Sequence, residues 1–399
     1  MKHLLVKGLI IVVLFFSACK SQEKVAEHVN TNESHAMLPD FSWDTMPLYM
    51  HLRKATAFTN EEINYLAKFP LITFEKTTGS KTYGSTEEGT IQAAKSVKAI
   101  NPNTKILYYK NVVINWGGYK EDDAFLKKNP EALLFNNRGD KALMPNKKTG
   151  FFDLSKDKVR SHWLNHVNKI TSSPYIDGVF LDANIKVLVP GFFNSRVGKE
   201  KQKEIESGYL TMMEELNTQL GKDNILLANI LRVRPEFKDV GREYLRFFDG
   251  TYLEGFEHEN FGMTYEDYLA KGIDAFQKTA REGKIVAMSI GLGKALDNAK
   301  VGIDDARKKI NKDDNINERL NYLLAIFLVC AEEYSYVYPH DGYNSLTSAT
   351  WLKTFSQYEK NLGAPKGYAI RDGYIYTRSF EHLDVWLDIE NQTAQLNWK

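Results

Sequence analysis

The chain has 399 residues, with 52 Lys and Arg against 51 Asp and Glu, for a formal net charge of +1. So even a balance leaves no electrostatic footprint for nucleic acid, and the interspersed charges describe a solvated surface. The two cysteines and nine scattered histidines show no metal-type spacing, so no metal and no cofactor is expected.

The first segment, "MKHLLVKGLIIVVLFFSACKSQ", has a basic start, a short apolar run and small residues before Cys19. The run falls short of the roughly twenty apolar residues of a membrane span and reads as a secretory signal. Phe16-Ser17-Ala18-Cys19 resembles a bacterial lipobox, with Phe where Leu is usual. That resemblance implies a signal peptide over 1–18, cleavage before Cys19 and lipid on Cys19. The alternative is an ordinary signal peptide cut near Ala18. Residues 19–42 are polar and aperiodic and read as a flexible tether. The expectation is an exported lipoprotein, monomeric, held by its lipid at the outer membrane or cell surface.

From about Pro47 short β-type runs alternate with helical ones. "PLYMHL" precedes "TNEEINYLAKF"; "LITFEK" precedes "TEEGTIQAAKSVKAI"; "KILYYKNVVI" and a long loop precede "SKDKVRSHWLNHVNKIT". "DGVFLDAN" leads into "EKQKEIESGYLTMMEELNTQL", "NILLANIL" into "EFKDVGREYLRF", and "DGTYLEGF" into "TYEDYLAKGIDAFQKTARE". "KIVAMSIG" leads to "INERLNYLLAIFLVCAEE", where Cys330 reads as a buried core thiol, and "YSYVYPHD" leads to "SATWLKTFSQYEKNL". Eight strands, each followed by a helical segment, predict a (β/α)8 TIM barrel over 43–362. A doubly wound sheet would carry a Gly-rich phosphate turn early, and "GLGKAL" at 291–296 is too short and too late for one. The tail 363–399 is rich in aromatic and β-branched residues, with turns at Arg371-Asp372-Gly373 and Glu390-Asn391. It predicts an antiparallel β appendage packed on the barrel.

Two phrases match: "IDGVFLDAN" at Ile176–Asn184 and "FDGTYLEGF" at Phe248–Phe256. Strand side chains alternate faces, so Gly178, Phe180 and Asp182 share one face, as do Gly250, Tyr252 and Glu254. Aliphatic residues on the other face suit the layer under the helices. Asp182 and Glu254 then point to the axis at the C-terminal ends of the fourth and sixth strands, where barrel active sites are built. Two carboxyl groups flanking a glycosidic bond are the equipment of glycoside hydrolysis. Asp182 is the candidate nucleophile or base and Glu254 the proton donor, with burial expected to keep its proton on. Retention and inversion both stay open at this point. Acids at strand ends also cap loops and helices, so a structural role is the competing explanation. Asp177 and Asp249, at the strand starts, read as turn residues.

Other strand ends supply polar groups for a sugar: His51, Glu75 with Lys76, Lys110 with Asn111, Asn229, and His340 with Asp341. Tyr109, Trp116 and Tyr252, with Tyr108 and Phe256, offer flat faces near the same mouth. Glu75 is the rival for a catalytic role. With "YIDGVFLDAN", "DGTYLEGF" and the tail "NLGAPKGYAIRDGYIYTRSFEHLDVWLDIEN", the chain resembles the hypothetical glycosyl hydrolase family 15 group. Leu362-Gly363-Ala364-Pro365-Lys366-Gly367 and Arg378-Ser379-Phe380-Glu381 match that group's C-terminal pattern; His382-Leu383 departs from its Asn-Gly turn. The resemblance implies a sugar-active barrel with its acids at Asp182 and Glu254 and a carbohydrate substrate. Two functions follow: a lipid-anchored glycoside hydrolase acting on an external polysaccharide or oligosaccharide, or a non-catalytic glycan-binding lipoprotein on the same barrel. A purely structural surface protein explains the anchor but not the paired acids.

Overall fold

The computed structural model describes residues 37–399, apart from Lys147, Lys222, Gly255, 257–260 and 294–313. The leader, Cys19 and most of the tether lie outside the described residues, as does part of the loop at 291–296. Residues 37–399 form one compact unit.

Eight strands run in parallel and in chain order: β1 (Met50–Leu52), β2 (Leu71–Phe74), β3 (Lys105–Asn111), β4 (Gly178–Asp182), β5 (Ile225–Asn229), β6 (Gly250–Leu253), β7 (Ile285–Gly291) and β8 (Ser335–His340). The ring closes where the Tyr49 amide donates to the Val337 carbonyl at 2.9 Å and Leu48 bridges Val337 in parallel. This is the barrel that the alternating pattern predicts.

The helices largely sit where the sequence places them, at Asn60–Leu66, Thr86–Lys98, Asp157–Thr171, Lys199–Leu220, Tyr265–Arg281 and Asp314–Cys330. Thr59 and Ser85 cap the first two by accepting from the amides of Glu62 and Glu88, as short hydroxyl side chains do at helix starts. Cys330 is fully buried, as expected.

Two expected helices fail to form. After β5, left-handed Val240 and Gly241 interrupt the chain and only a 3₁₀ segment, Arg242–Phe247, follows. After β8, the buried Asp341 carboxylate accepts from the Ala349 amide at 2.7 Å and the Thr350 hydroxyl at 2.8 Å. It also accepts from the Ser348 hydroxyl. That clasp folds 341–350 into a loop and leaves only Ser356–Glu359 helical.

The first halves of the matched phrases have a structural cause. Asp177 accepts from the Ile106 amide of β3, and Asp249 from the Leu226 amide of β5, each at 2.8 Å. Each aspartate thus ties the start of its strand to the neighbour before it, the turn-side role expected. Each following glycine lets the next strand approach. A Cβ on Gly178 would lie 2.1 Å from the Ile225 carbonyl oxygen, and one on Gly250 2.3 Å from that of Ile285. Gly178→Ala is therefore expected to destabilise the protein by about 1–3 kcal/mol, the range for overpacking a filled interior. Denaturant unfolding measures it, and a loss under about 0.5 kcal/mol would contradict this packing.

The tail forms a four-stranded antiparallel sheet of β9 (Ile370–Asp372), β10 (Ile375–Ser379), β11 (Leu383–Asp388) and β12 (Thr393–Trp398), ordered β12-β11-β10-β9. Tyr376, Val385 and Leu387 bury one face of it in a cluster with the helix Asp314–Cys330. Arg378 anchors the sheet through the carbonyl of Leu328 at 2.9 Å and through Glu332 at 3.1 Å.

Candidate active site

The inward residues of the barrel are mostly rings. Phe180 stacks on Tyr109 with centroids 5.8 Å apart and meets Tyr252 edge-on at 5.1 Å, while Tyr49 contacts Tyr252 and Tyr338. Val179 and Leu181 face the helices, in a separate cluster. The alternation expected for β4 therefore holds, and an aromatic floor fills the barrel below its C-terminal mouth.

Asp182 ends β4 at that mouth, and every polar neighbour donates to it. The Tyr109 hydroxyl lies 2.5 Å from Oδ2, the Asn111 amide 3.3 Å from Oδ2, and the Asn229 amide 3.2 Å from Oδ1. Glu254 follows β6 directly. Its Oε1 accepts from the Tyr343 hydroxyl at 2.8 Å and its Oε2 from Asn229 at 3.0 Å, with Arg232 at 3.6 Å. The Asn229 Nδ2 thus bonds both carboxylates, at 3.2 Å and 3.0 Å, so the bridged oxygens lie no more than about 6.2 Å apart.

Burial and charge keep the donors protonated. The Tyr109 phenol is pushed well up by burial and then by Asp182, and the Tyr343 phenol by burial and then by Glu254. Glu254 itself departs from expectation. Its side chain is 42 % exposed, because it extends past the strand end into the mouth instead of into the packed interior. It lines a cavity of about 320 Å³ with Phe256, Met288, Ser289, His340 and Tyr343.

Several expected contact residues gather here. His51 lies on the floor, 4.7 Å from the Phe180 ring and 4.9 Å from that of Tyr343. Burial, followed by Lys76, His340 and Arg53, holds its imidazole well below the usual range, so it is neutral. His340 stacks on Tyr338 and contacts Tyr343, and burial lowers it to about 4. Among the described residues, both ring nitrogens of His51, Nδ1 of His340, Oδ1 of Asn229 and Nε1 of Trp116 are buried without a hydrogen-bond partner. Buried polar groups are normally satisfied, so this set is suited to hydroxyl groups arriving from outside. The Tyr252 hydroxyl is shared with that of Tyr343 at 3.0 Å. The Lys76 ammonium lies 5.3 Å from the Trp116 ring centroid and 4.9 Å from that of Tyr109.

Three expectations change. Lys110 does not reach the mouth. Tyr109 and Asn111 point inward, so alternation turns Lys110 outward, where it is buried against Asp122 at 2.5 Å under the helices. Tyr108 turns the same way and meets His166 at 3.0 Å. Glu75 does sit beside the mouth, but its oxygens are engaged by Arg53 at 2.7 Å and by Lys76. That pairing makes it an anchor for two cations and weakens its claim to a proton-transfer role.

Tyr343 and Arg232 were missed as contacts of the acids, and Asn111 was named only as a sugar contact. Asn111 was within reach of the argument, since alternation from Tyr109 selects it over Lys110. Tyr343 and Arg232 lie in loops after β8 and β5, where no periodicity points to a partner.

A metal-ligand grouping lies outside the mouth. Asp122, His162 and His166 bring ligand atoms within 4.8 Å of one another, from a helical His-x₃-His spacing the sequence reading passed over. The residues fit a metal poorly. The Lys110 ammonium already bonds Asp122, and lies 3.3 Å from His166 Nδ1. It supplies the positive charge a metal would bring. Asp122 is held well below the usual carboxylate range against its own burial, by Lys110 and then the two histidines.

Fold and site together define a parallel (β/α)8 barrel with two amide-bridged carboxylates at its C-terminal mouth. Residues 98–384 match the hypothetical glycosyl hydrolase family 15, and the chain belongs to that family. The family implies a carbohydrate substrate. Among solved structures, the chain is similar to an alpha-amylase from Geobacillus thermoleovorans (11% identity, TM-score 0.49, covering 87% of this chain and 87% of that one). It is also similar to the glycoside hydrolase domain of PelA from Pseudomonas aeruginosa (11%, 0.44, 74% and 97%). A third similar structure is Ega3 from Aspergillus fumigatus (12%, 0.40, 64% and 82%). No curated protein matches the chain.

Proposed function

We propose that this protein is a retaining glycoside hydrolase that cleaves an external polysaccharide or oligosaccharide, held at a bacterial membrane surface by lipid on Cys19. The observation that carries the catalytic part is the single Asn229 amide spanning Asp182 and Glu254. The bound it sets, no more than about 6.2 Å between the bridged oxygens, falls short of the roughly 6.5–9.5 Å that seats a water in inverting enzymes and admits the roughly 5–5.5 Å of retaining ones.

In the proposed reaction, Glu254 gives its proton to the glycosidic oxygen as that bond breaks. Asp182 attacks the anomeric carbon and forms a glycosyl ester. Water then attacks the same carbon, Glu254 takes its proton, and the Asp182 carboxylate departs. Asp182 is held for attack by its three donors. Glu254, reaching into the open cleft, can meet both the leaving oxygen and the incoming water. His51, His340, Asn229 and Trp116 offer the hydroxyl contacts, and the ring floor excludes water from below.

The exposure of Glu254 and its contact with Arg232 at 3.6 Å favour a second reading, a glycan-binding protein without turnover, because a solvent-open carboxylate beside a guanidinium suits hydrogen bonds to sugar hydroxyls. The test is a panel of polysaccharides incubated with the purified protein and assayed for new reducing ends. Release from one polymer, absent with Asp182→Asn, is expected. Binding to a polymer with no release from any would overturn hydrolysis in favour of the binding protein.

The anchor is tested separately. Among the described residues no helix is long and apolar enough to cross a membrane. Cys19→Ser is expected to move the protein from the membrane to the soluble fraction. Retention on membranes after that change would contradict lipid anchoring.

A further inference from the structure

The outer face of the C-terminal sheet has no part in the barrel chemistry. Register places Thr377, Trp386 and Gln395 in one cross-strand row and Ser379, Asp384 and Asn397 in the next. Because strand side chains alternate, these residues face away from the buried side formed by Tyr376, Val385 and Leu387. Trp386 therefore stands half-buried at the centre of a polar face, between a threonine and a glutamine too small to cover an indole.

β9 and the segment before it wall this face into a groove. Lys366, Tyr368 and Ile370 rise beside Trp386 and enclose about 350 Å³. Tyr368 is 63% exposed and Ile370 71%, the two most exposed large apolar side chains described. The Arg281 guanidinium lies 4.0 Å from the Tyr368 ring centroid, which fixes the orientation of that ring before anything binds. Among the described residues, no hydrogen bond engages the Trp386 indole, the Thr377 hydroxyl or the Asn397 amide.

Two rings set among hydroxyl, amide and carboxylate groups suit a ligand whose faces are apolar CH patches and whose edges are hydroxyls. A protein partner would bury on the order of 800 Å² of surface on each side; a groove of this size matches one or two sugar rings. We propose that this groove is a second, non-catalytic glycan-binding site, which holds pyranose rings of a polysaccharide on Trp386 and Tyr368, with Asn397 and Thr377 taking their hydroxyls beside Asp384, which Lys399 pairs at 2.8 Å. The choice of a glycan as occupant rests on the proposed function; the groove does not depend on it. Such a site keeps a polymer near the barrel between cleavages and contributes nothing to the cleavage of a short substrate.

The test uses the full-length chain in three backgrounds: unchanged, Trp386→Ala, and Tyr368→Ala as a change on an exposed loop that spares the fold. Retention by each of a panel of immobilised polysaccharides is measured by affinity electrophoresis, and turnover of a soluble aryl glycoside beside it. Both changes are expected to weaken retention about tenfold or more, in line with the loss of a stacked aromatic contact. Aryl glycoside turnover should stay within about twofold, and thermal unfolding should confirm that Tyr368→Ala is folded. Retention unaltered in the folded Tyr368→Ala and Trp386→Ala proteins overturns the groove while leaving hydrolysis standing. Retention lost in both, with no turnover even in the unchanged chain, supports the groove and sinks the hydrolase. An unchanged chain retained by no polysaccharide overturns the groove whatever its turnover.

Discussion

Asp182→Asn is expected to lower turnover by about 10⁴-fold or more, both for a natural glycan and for an aryl glycoside with a good leaving group. Attack on the anomeric carbon is needed whatever group departs, and an amide in place of the carboxylate does not supply it. The change keeps the size of the side chain but not its bonding. Oδ2 accepts from Tyr109 and Asn111, and Oδ1 from Asn229, so an asparagine must turn its NH₂ toward at least one donor. That mismatch is expected to cost about 1–3 kcal/mol of stability, a loss thermal unfolding can separate from the loss of chemistry. A variant that still turns over the aryl glycoside at more than about one-hundredth of the normal rate would remove Asp182 from the nucleophile role.

Glu254→Gln is expected to behave differently on the two substrates. The glutamine preserves reach and can keep its contacts with Tyr343 and Asn229, but it carries no proton to give. With a natural glycan, kcat/KM should fall by about 10²–10⁴-fold, the usual contribution of a general acid. With the activated aryl glycoside, kcat/KM reports formation of the glycosyl ester, which needs little protonation, and should stay within about tenfold. Its kcat should nevertheless fall, because water is then no longer deprotonated for the second step, and KM should fall with it. Equal losses in kcat/KM for the two substrates would take the proton-donor role away from Glu254.

The barrel was legible because its signals are local and repeated. Each β-type run followed by a helical run is one unit, and eight of them leave little choice of fold. The repeated Asp-Gly was legible only as a turn. Its full meaning, an aspartate holding the previous strand and a glycine admitting the next strand's carbonyl, depends on neighbours distant in sequence. The two acids were legible because alternation on a strand is strict, and the same rule, applied one strand earlier, separates Asn111 from Lys110. Where strands end, that rule stops. The Tyr343 bond to Glu254, the Arg232 contact and the exposure of the Glu254 side chain are set by loops with no period. The missing helix after β8 has the same origin, since Asp341 gathers amides and hydroxyls from residues seven to nine positions ahead. The Asp122, His162 and His166 grouping shows the converse. Its histidine spacing could be read in the sequence, yet the lysine that neutralises it comes from a strand whose outward face had been assigned inward.

The pairing of Asp182 as nucleophile with Glu254 as acid and base is tested most directly by looking for the ester itself. The Glu254→Gln protein is mixed with the activated aryl glycoside, quenched in acid within the first turnover, digested and analysed by mass spectrometry. Because this variant forms the ester readily and hydrolyses it slowly, one glycosyl unit is predicted on the peptide that contains Asp182. Rapid release of the aryl group with no adduct on any peptide, or with the adduct on Glu75, would contradict the account.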